Sequence, residues 1–494
     1  MTRVAIDPIT RLEGHGKIEI FLDEQGDVAH TYFQVPELRG FERFCVGRPV
    51  EEMPTLTSRI CGVCPEAHHM AAAKAVDAVY HVQPPRPAAM LRELLYSAFV
   101  VADHTTHFYV LSGPDFLVGP DAPATERNIL GVLHRVGMDV GGQVIEARRM
   151  GHAIIEMLGG RKVHPCTSVP GGVTKGLTED ERADIERMGR AMVDFAAFSL
   201  GLWDQLILGN EEYVAMIRGD AYTHETYYMG TVDPAGRLNL YDGQIRVVAP
   251  DGERLGQYEA SHYPEWIAER VEPWTYLKFP YLRQVGWRGL VDGKDSGVYC
   301  VGPIGRLNAA DGMATPRAQE AYTRLYETLA PADGGPKRLI HQRLGMHWAR
   351  LVELMYAAER VVELATDAEI TSDQLRTVPT ETPTEGVGSV EAPRGTLTHH
   401  YWTDARGLVT KVNLIVGTTN NYAPIAMSIE RAARSLIHAG APVGPGLLNR
   451  IEMAFRAYDP CFGCATHSLA GQMPLEVTLH DPTGATVDVL RQHC

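Results

Sequence analysis

Two short stretches decide how this chain must fold: RICGVCPEAHH at residues 59–69 and DPCFGCATH at residues 459–467. Each contains a C-x-x-C pair, Cys61 with Cys64 and Cys461 with Cys464, followed by a histidine three or four residues later. Nearly the whole chain separates the two pairs. If the pairs form one site, the fold must bring the two ends of the chain together around it.

A single C-x-x-C is a weak signal, because it is compatible with a thioredoxin-like motif, half a zinc ribbon or two unrelated thiols. Two pairs are a stronger signal, since four thiolates complete a tetrahedral shell for a soft metal. Zinc ribbons usually separate their pairs by about 15–20 residues, and neither pair here lies in a βαβ pattern. The spacing therefore favours a buried four-thiolate metal centre over structural zinc, without naming the metal.

The composition excludes several classes of protein. The chain has 494 residues, of which 45% are hydrophobic and 8 are cysteines. This length predicts two or three subdomains around an extended core, and the hydrophobic fraction is too high for a disordered chain. Acidic residues outnumber basic residues, 61 to 46, which argues against a generic nucleic-acid-binding protein. Cysteine is too rare for a disulfide scaffold.

The N-terminus and the hydropathy pattern predict the compartment. Residues 1–8 have neither the apolar segment nor the cleavage site of a signal peptide. No segment offers the roughly 18 uninterrupted apolar residues of a membrane span. We therefore expect a soluble cytoplasmic protein whose cysteines are ligands or free thiols rather than disulfides.

Local patterns predict an α+β fold, mainly α with β-hairpins at the edges of a helical core. Period-two alternation indicates strands, while apolar spacing of three and four residues and N-terminal caps indicate helices. The predicted strands are 17–21 and 28–35, 237–241 paired with 244–248, and 400–402 paired with 409–416. The predicted helices run from Pro87 to about Leu111, from the capping box of Thr178 and Glu181 past Leu208, and from His347 to Ala365, with a loop at 377–383.

Further motifs add a resemblance to a known family. In chain order they are RLEGH (11–15), RGFE (39–42), DHTTHFY (103–109) and EAPRG (391–395), interleaved with the two cysteine motifs. This series resembles the large subunit of nickel–iron hydrogenases, most closely the cytosolic bidirectional branch, over essentially the full chain. The resemblance implies the hydrogenase large-subunit fold, a long helical-bundle core with peripheral β-structure that the 49-kDa subunit of complex I shares.

The resemblance, together with the local patterns, also predicts five regions. They are an N-terminal β-hairpin region (1–50), a first cysteine motif with helical core (51–230), a β-rich insertion (231–310), a second helical region with the second cysteine motif (311–467) and a C-terminal extension (468–494). In this family maturation commonly removes the segment after the last histidine. We therefore expect an endopeptidase to cut after His467 and remove the extension, in which 475–479 and 486–489 predict a hairpin.

By resemblance, the chain would be the catalytic subunit of a soluble hydrogenase that cleaves H2 reversibly and heterolytically into protons and electrons. Cys61, Cys64, Cys461 and Cys464 would bind nickel, and Cys64 and Cys464 would also bridge to an iron that carries carbon monoxide and cyanide. Glu13 would accept the proton first, with Cys461 the expected donor. On composition alone Glu13 would be interpreted as a surface glutamate, and the RLEGH match reverses that interpretation.

Arg394 would lie above the bridging position between the two metals. Asp103 and Asp459 would be its carboxylate partners, because a buried guanidinium needs them. Asp103 by itself would be interpreted as a helix surface charge, and Asp459 is also compatible with a helix N-cap before Pro460.

Three further residues complete the implied surroundings of the cofactor. His68 would donate a hydrogen bond to a bridging thiolate, whereas His69 is expected to be structural. Pro393 would line the cofactor, and Thr418 would hydrogen-bond an iron cyanide. An ordinary turn hydroxyl is nearly as good an interpretation of Thr418.

A second metal site is implied at Glu42, the backbone carbonyl of Leu414 and His467. It matches the family's magnesium site, in which iron is the alternative metal. Oxygen ligands suit magnesium, whereas a histidine is less typical of it.

The expected partners follow from what the sequence lacks. It has no further cysteine cluster with iron–sulfur spacing and no G-x-G-x-x-G after a strand. Electrons would therefore need an iron–sulfur small subunit, and a flavin/NAD-type or F420-type subunit would pass them to a soluble acceptor. The remaining cysteines have no ligand spacing, and Cys45, Cys166 and Cys300 are expected to be buried thiols that pack as small hydrophobes.

Two other functions are alternatives, and the presence of all four cysteines argues against the first of them. The first is a non-catalytic relative such as the quinone-binding subunit of complex I, which lacks the four cysteines. The second is a zinc-stabilised scaffold or binding protein. Zinc without infrared bands from carbonyl and cyanide would favour the scaffold.

Overall fold

A computed structural model describes residues 2–330, 339–440, 442–467, 475–480 and 485–492. The helices are α1 (Phe41–Phe44), α2 (Met53–Thr57), α3 (Pro65–Val79), α4 (Arg86–Thr106), α5 (Ile129–Val136), α6 (Met138–Gly159), α7 (Glu179–Trp203), α8 (Glu211–Arg218), α9 (Tyr263–Trp266), α10 (Gly302–Ala309), α11 (Pro316–Leu329), α12 (Met346–Thr366), α13 (Gly417–Asn420), α14 (Tyr422–Leu436), α15 (Pro445–Arg456) and α16 (Phe462–Ala465). The strands are β1 (Thr2–Ile6), β2 (Lys17–Leu22), β3 (Val28–Gln34), β4 (Ser168–Val169), β5 (Gly172–Val173), β6 (Tyr227–Val232), β7 (Gln244–Val248), β8 (Arg254–Tyr258), β9 (Ile267–Arg270), β10 (Phe279–Leu282), β11 (Tyr299–Cys300), β12 (Glu385–Ala392), β13 (Gly395–Thr403), β14 (Val409–Ile415), β15 (Leu475–His480) and β16 (Thr486–Gln492). The α+β prediction is therefore confirmed.

The helical core is built around α12, which packs against α4, α7, α10 and α11. A helix that is apolar on most of its surface must be buried on most sides, and Leu351, Leu354 and Met355 of α12 are at most 1% exposed. The helix predicted from His347 to Ala365 is thus confirmed. The long helix after Pro87 is also confirmed as α4, which continues as a π-helical turn.

The capping box predicted for α7 is present. Thr178 Oγ1 accepts a hydrogen bond from Glu181 N at 3.2 Å, and the Glu181 carboxylate accepts one from Thr178 N at 3.0 Å. The two bonds satisfy two of the N–H groups that a helix leaves free at its start. The helix was predicted to run past Leu208, and the structure ends it at that residue, after a π-helical turn that follows its α-helical part.

Among the described residues, the segment Glu179–Leu208 also meets a length and hydropathy criterion for crossing a membrane. Core helices of soluble proteins meet the same criterion, so it is weak evidence for a membrane span.

The larger sheets lie around the helical core. The N-terminal sheet has the order β1-β2-β3, which confirms the hairpin predicted at 17–35 and adds β1 at its edge. A second sheet has the order β11-β6-β7-β8, and a third has the order β12-β13-β14. The third contains the hairpin predicted at 400–416, and the tail hairpin is confirmed as β15 paired with β16.

The hairpin predicted between 237–241 and 244–248 is wrong. β7 pairs instead with β6 on one side and β8 on the other. The reason is Asn239, whose Oδ1 accepts hydrogen bonds from the backbone N–H groups of Tyr241 (2.9 Å) and Asp242 (3.0 Å). Such side-chain bonds compete with a strand ladder, so these residues form a turn.

The third sheet is placed directly on α3, which follows the first cysteine motif. At Gly386 and Gly388 of β12, a Cβ atom would approach the backbone of Ala75 and Ala71 to 2.4 Å and 2.3 Å. Only glycine permits backbones to approach this closely. The turn between β12 and β13 is thereby held near the start of α3.

Candidate metal centre

The structure brings the four motif cysteines together in the core. The ligand atoms of Cys61, Cys64, Cys461 and Cys464 all lie within 4.8 Å of one another, and each residue is at most 4% exposed. The Sγ atoms of Cys61 and Cys461 are 3.5 Å apart, and those of Cys64 and Cys464 are 3.3 Å apart. These distances exceed the roughly 2.05 Å of a disulfide, so the group is four free thiols.

Short local elements aim the four sulfurs at one point. Cys64 is the N-cap of α3, and Cys461 is the N-cap of the single-turn helix α16, which contains Cys464. Cys61 follows a 3-10 turn, and the backbone N–H groups of Val63 and Cys64 point at its Sγ from 3.1 Å and 3.3 Å. Both motifs therefore present sulfur at the beginning of a helix, where anions are stabilised.

The electrostatics of the group fit a bound cation. Hydrogen bonds from the neighbouring thiols of Cys461, Cys464 and Cys64 hold the pKa of Cys61 well below its usual range. Burial raises the pKa of Cys461 and Cys464 well above the usual thiol value. Four thiolates this close together therefore require positive charge from a metal, and soft metals such as nickel and iron suit sulfur ligands.

Glu13 connects the N-terminal segment to the second cysteine motif. Its Oε2 accepts hydrogen bonds from the Cys461 thiol at 3.0 Å and from Gly463 N at 2.9 Å. Its backbone also pairs with the motif, because Phe462 N donates to Glu13 O at 3.0 Å. Burial raises the pKa of Glu13 above the usual carboxyl value. The carboxylate therefore lies in contact with a candidate metal-binding sulfur.

Close backbone packing maintains this contact. Gly14 has φ of +89°, and a Cβ there would meet Phe462 Cβ at 2.9 Å. At Gly463 a Cβ would meet the Glu13 carboxylate at 2.6 Å. Glycine at these two positions lets the two chain ends lie side by side.

Arg394 lies in the turn between β12 and β13 and is buried between two carboxylates. Its Nη1 donates to Asp103 Oδ1 at 3.0 Å, and its Nη2 lies 2.8 Å from Asp459 Oδ2 in an ion pair without hydrogen-bond alignment. Its Nε donates to the backbone carbonyl of Asp459 at 3.0 Å. The carboxylate partners expected from the sequence are therefore in place.

The two aspartates differ in their environments. Burial raises the pKa of Asp459 to about 6. Burial also acts to raise the pKa of Asp103, but Arg394 and His104 outweigh it and lower this pKa below the usual value. Asp459 has a left-handed φ of 56° and is not a helix N-cap, since Cys461 caps α16. The N-cap interpretation is wrong because the chain turns sharply before the motif.

His68 projects from the first turn of α3, and its ring is completely buried. Its Nδ1 lies 3.1 Å from His399 Nε2, whereas its Nε2 has no hydrogen-bond partner among the described residues. His69 is satisfied at both nitrogens, by Pro54 O at 3.0 Å and Ser168 Oγ at 2.9 Å. This geometry agrees with a structural His69 and leaves one nitrogen of His68 available.

Thr418 and Pro393 lie in two different segments of the site. Thr418 is the second residue of the short helix α13, and its Oγ1 accepts a hydrogen bond from Cys461 N at 3.0 Å, so it supports the second cysteine motif. Pro393 precedes Arg394 in the β12–β13 turn. Their predicted contacts with a cofactor stay predictions.

The residues of the implied second metal site lie close to the first. Glu42 Oε1 accepts a hydrogen bond from Leu414 N at 3.0 Å, and burial raises the pKa of Glu42 to about 7. The His467 ring packs edge-on against Phe41 at 5.9 Å, and its Nε2 contacts the carbonyl of Cys464. A cation would keep the partly buried Glu42 carboxylate ionised.

The prediction for one cysteine is wrong, and the sequence did not reveal one buried polar cluster. Cys166 is exposed, because it lies in the loop after α6, whereas Cys45 and Cys300 are buried as expected. Cys494 lies outside the described residues. The missed cluster centres on Arg306, which bonds the carboxylates of Glu353 and Glu391 in the core.

Arg306 also holds the turn that carries Arg394. Its Nη1 donates to Ala392 O at 2.6 Å, and its Nη2 donates to Pro393 O at 3.3 Å. Glu391 belongs to the quoted EAPRG motif, but nothing in the local sequence distinguishes Arg306 from a surface arginine.

Comparison with known proteins agrees with this geometry. A family model described as nickel-dependent hydrogenase matches residues 39–125 and 294–467, and a model described as HoxL-like matches residues 3–38. An iron-sulfur subunit of the F420-non-reducing hydrogenase of Archaeoglobus profundus is 46% identical over 491 residues, which cover 99% of this chain and 100% of that protein.

The names of two further relatives describe them as NAD-reducing. The NAD-reducing hydrogenase HoxS subunit beta of Cupriavidus necator is 36% identical, with coverage of 98% of this chain and 99% of that protein. A crystal structure of an NAD+-reducing NiFe-hydrogenase in the H2-reduced state matches with a TM-score of 0.87 and 38% identity, covering 94% of this chain and 100% of that chain.

Proposed function

Because this chain belongs to the nickel-dependent hydrogenase family and is its catalytic large subunit, we propose specific roles for the residues around its four cysteines. The observation that supports them is the meeting of the two C-x-x-C pairs with Glu13 and Arg394 in one buried site.

The four cysteines would hold the nickel–iron centre. Their sulfurs are soft donors, they lie within 4.8 Å of one another, and their charge requires a cation. We assign Cys61 and Cys461 to nickel alone, and Cys64 and Cys464 to both metals. When bound, the centre supplies the redox chemistry by which H2 is cleaved into protons and electrons.

Glu13 would take the proton from the Cys461 sulfur. The hydrogen bond between them is already formed at 3.0 Å, which is within the reach that a general base needs. The raised pKa of Glu13 lets the carboxyl group both accept a proton and release it again. Gly463 N, which donates to the same oxygen, keeps the carboxylate directed at the sulfur.

Arg394 would keep a fixed positive charge beside the cofactor. A guanidinium stays protonated, so its role is electrostatic, and Asp103 and Asp459 orient it. Pro393 would line the cofactor next to it. Thr418 would face an iron cyanide while it supports Cys461, and His68 would donate from Nε2 to a bridging thiolate.

A second metal, magnesium or iron, would bind at Glu42, the Leu414 carbonyl and His467. The contact of Glu42 with the Leu414 backbone and the burial of His467 support this site. We further propose that the mature chain ends at His467, after an endopeptidase removes 468–494. The five regions bounded at 50, 230, 310 and 467 stay predictions.

Electrons would leave through an iron–sulfur small subunit. Within the described residues, the four-cysteine group is the one set of three or more His, Cys, Asp or Glu side chains arranged to hold a metal. We place the enzyme in the cytoplasm, with NAD or a similar soluble acceptor. The names of its F420-non-reducing and NAD-reducing relatives favour an acceptor other than F420.

Metal analysis of the anaerobically purified complex tests this function. We expect nickel and iron in the large subunit, infrared bands from carbonyl and cyanide, and H2-dependent reduction of a dye. Assays with NAD and F420 then identify the acceptor. Zinc alone, without the infrared bands, would refute the proposal.

A further inference from the structure

A line of buried side chains leads away from the cysteine cluster. His68 Nδ1 lies 3.1 Å from His399 Nε2, and His399 Nδ1 lies 2.6 Å from the hydroxyl of Tyr401. None of the three residues is exposed to solvent. His399 and Tyr401 are two residues apart in β13, so their side chains project from the same face of the sheet, towards α3 and His68.

Hydrogen placement along this line is restricted. A neutral imidazole has one N–H and one bare nitrogen, so a ring that donates from one nitrogen must accept at the other. Both rings are completely buried, and neither hydrogen-bonds to a carboxylate among the described residues, so nothing compensates the cost of a buried charge and both rings are neutral. All donors in the line must therefore point the same way, either towards the cysteines or away from them.

The cysteine end of the line sets the direction. Within the part of the chain that the structure describes, His68 Nε2 is buried without a partner, in the first turn of α3, four residues after Cys64. If this nitrogen faces a metal-bound thiolate, as the proposed role of His68 requires, Nε2 must carry the hydrogen, because such a thiolate only accepts hydrogen bonds. His68 Nδ1 then accepts from His399 Nε2–H, and His399 Nδ1 accepts from the hydroxyl of Tyr401.

The Tyr401 hydroxyl is suited to be the first donor. Burial holds its pKa well above the usual phenol value, so it keeps its proton. The Thr57 hydroxyl also contacts Tyr401, but Thr57 donates its own hydrogen to Met53 O at 2.6 Å. The Tyr401 hydroxyl can thus donate to one of two acceptors, His399 Nδ1 or Thr57 Oγ1. The acceptor it uses determines in which direction the hydrogen bonds of the line are donated.

We propose that Tyr401 and His399 are positioning residues that lock His68 in its Nε2–H tautomer, so that His68 donates a hydrogen bond to a bridging thiolate of the nickel–iron centre. This inference rests on the proposed function, specifically on the role of His68. It assigns a role to His399 and Tyr401, which both lie outside the quoted motifs.

The test compares Tyr401→Phe with Tyr263→Phe in the purified holoenzyme. Tyr263 is a matched control, because its hydroxyl lies 2.9 Å from Nδ1 of the adjacent His400, outside the line. Readouts are the carbonyl and cyanide infrared bands and the nickel and iron content. We expect Tyr401→Phe to retain both metals and to move the carbonyl band to lower wavenumber, because an unbonded thiolate donates more electron density to iron. Tyr263→Phe should leave the bands unchanged.

His68→Gln separates failure of the inference from failure of the proposed function. If His68→Gln shifts the bands and Tyr401→Phe does not, the lock is overturned while the role of His68 stands. If neither variant shifts them, the role of His68 fails, and the inference fails with it. A shift in Thr57→Val as large as that of Tyr401→Phe would show that Tyr401 donates to Thr57, which also overturns the lock.

A direct measurement covers the case in which Tyr401→Phe fails to assemble. Neutron diffraction of the deuterated native complex locates the hydrogen of the Tyr401 hydroxyl. Deuterium between Tyr401 Oη and His399 Nδ1, bonded to oxygen, supports the proposal. Deuterium on His399 Nδ1 itself would overturn it.

Discussion

The Cys461 thiol donates a hydrogen bond to Glu13 Oε2 across 3.0 Å, although 448 positions of sequence separate the two residues. The other donor to this oxygen, Gly463 N, belongs to the same cysteine motif as Cys461. One carboxylate thus connects the N-terminal segment to a candidate metal ligand in the second cysteine motif, and its partial burial raises its pKa.

Glu13→Gln should abolish most turnover without loss of metal. Glutamine keeps the size of the side chain and an oxygen for Gly463 N, but it cannot take a proton from sulfur. We expect H2-dependent dye reduction to fall by about 10²–10⁴-fold, the usual contribution of a positioned acid–base group. The control is Glu37→Gln, whose carboxylate contacts exposed His15. Wild-type activity in Glu13→Gln would remove Glu13 from the proton path.

Arg394→Met should destabilise the fold as well as lower activity. It leaves Asp103 and Asp459 buried without their cation, and breaking a buried ion pair in this way costs about 3–5 kcal/mol. The matched control is Arg406→Met, which breaks a solvent-exposed pair with Asp404 that contributes little to stability. The thermal unfolding midpoints of the two variants measure the difference. Equal midpoints would contradict the buried ion pair.

The stability contributed by Asp115 should depend on pH. Burial acts to raise its pKa, but ion pairs with Arg456 and Arg11 outweigh burial and hold the pKa below the usual 3.8. A depressed carboxyl pKa adds stability above the usual value, and this stability is lost as the pH falls through and below 3.8.

Asp115→Asn tests this dependence. The variant should unfold at a lower temperature than the wild type at pH 7, and the gap should narrow as the pH approaches 4 and below. Thermal midpoints measured across this range check the prediction, with Asp404→Asn as the exposed control. A gap that widens in acid would show that the sign is wrong.

The active enzyme should lack residues 468–494. His467 is buried at 3% exposure and contacts the carbonyl of Cys464, so the chain is already anchored at the expected cleavage point. Intact mass of the active, metal-containing protein should correspond to a chain that ends at His467, whereas metal-free protein should keep the tail hairpin. A full-length active chain would exclude the processing step.

Much of the site could be predicted because short motifs carry it. The two C-x-x-C pairs predicted the four cysteines of the candidate metal centre, and the RLEGH and EAPRG motifs pointed to Glu13 and Arg394. Local signals also located three helices: Pro87 and the composition after it predicted α4, the capping box predicted α7, and apolar spacing predicted α12.

The remaining features depend on partners distant in sequence. The contact of His399 with His68 exists only because β13 lies on α3, and Arg306 gains the carboxylate of Glu353 only because α12 packs against α10. The wrong hairpin at 237–241 has a local cause, because one side-chain amide, that of Asn239, turned a strand-like pattern into a loop.

The parallel pairing of Glu13 with Cys461 has a consequence for biosynthesis. The ribosome makes Cys61 first, and Cys461 follows only 400 residues later. Until then the segment around Glu13 has no partner strand to close on. The metal centre therefore cannot close while the chain is still being translated. Between the synthesis of the first and the second cysteine pair, the nascent site stays open and accessible to the factors that deliver its metals.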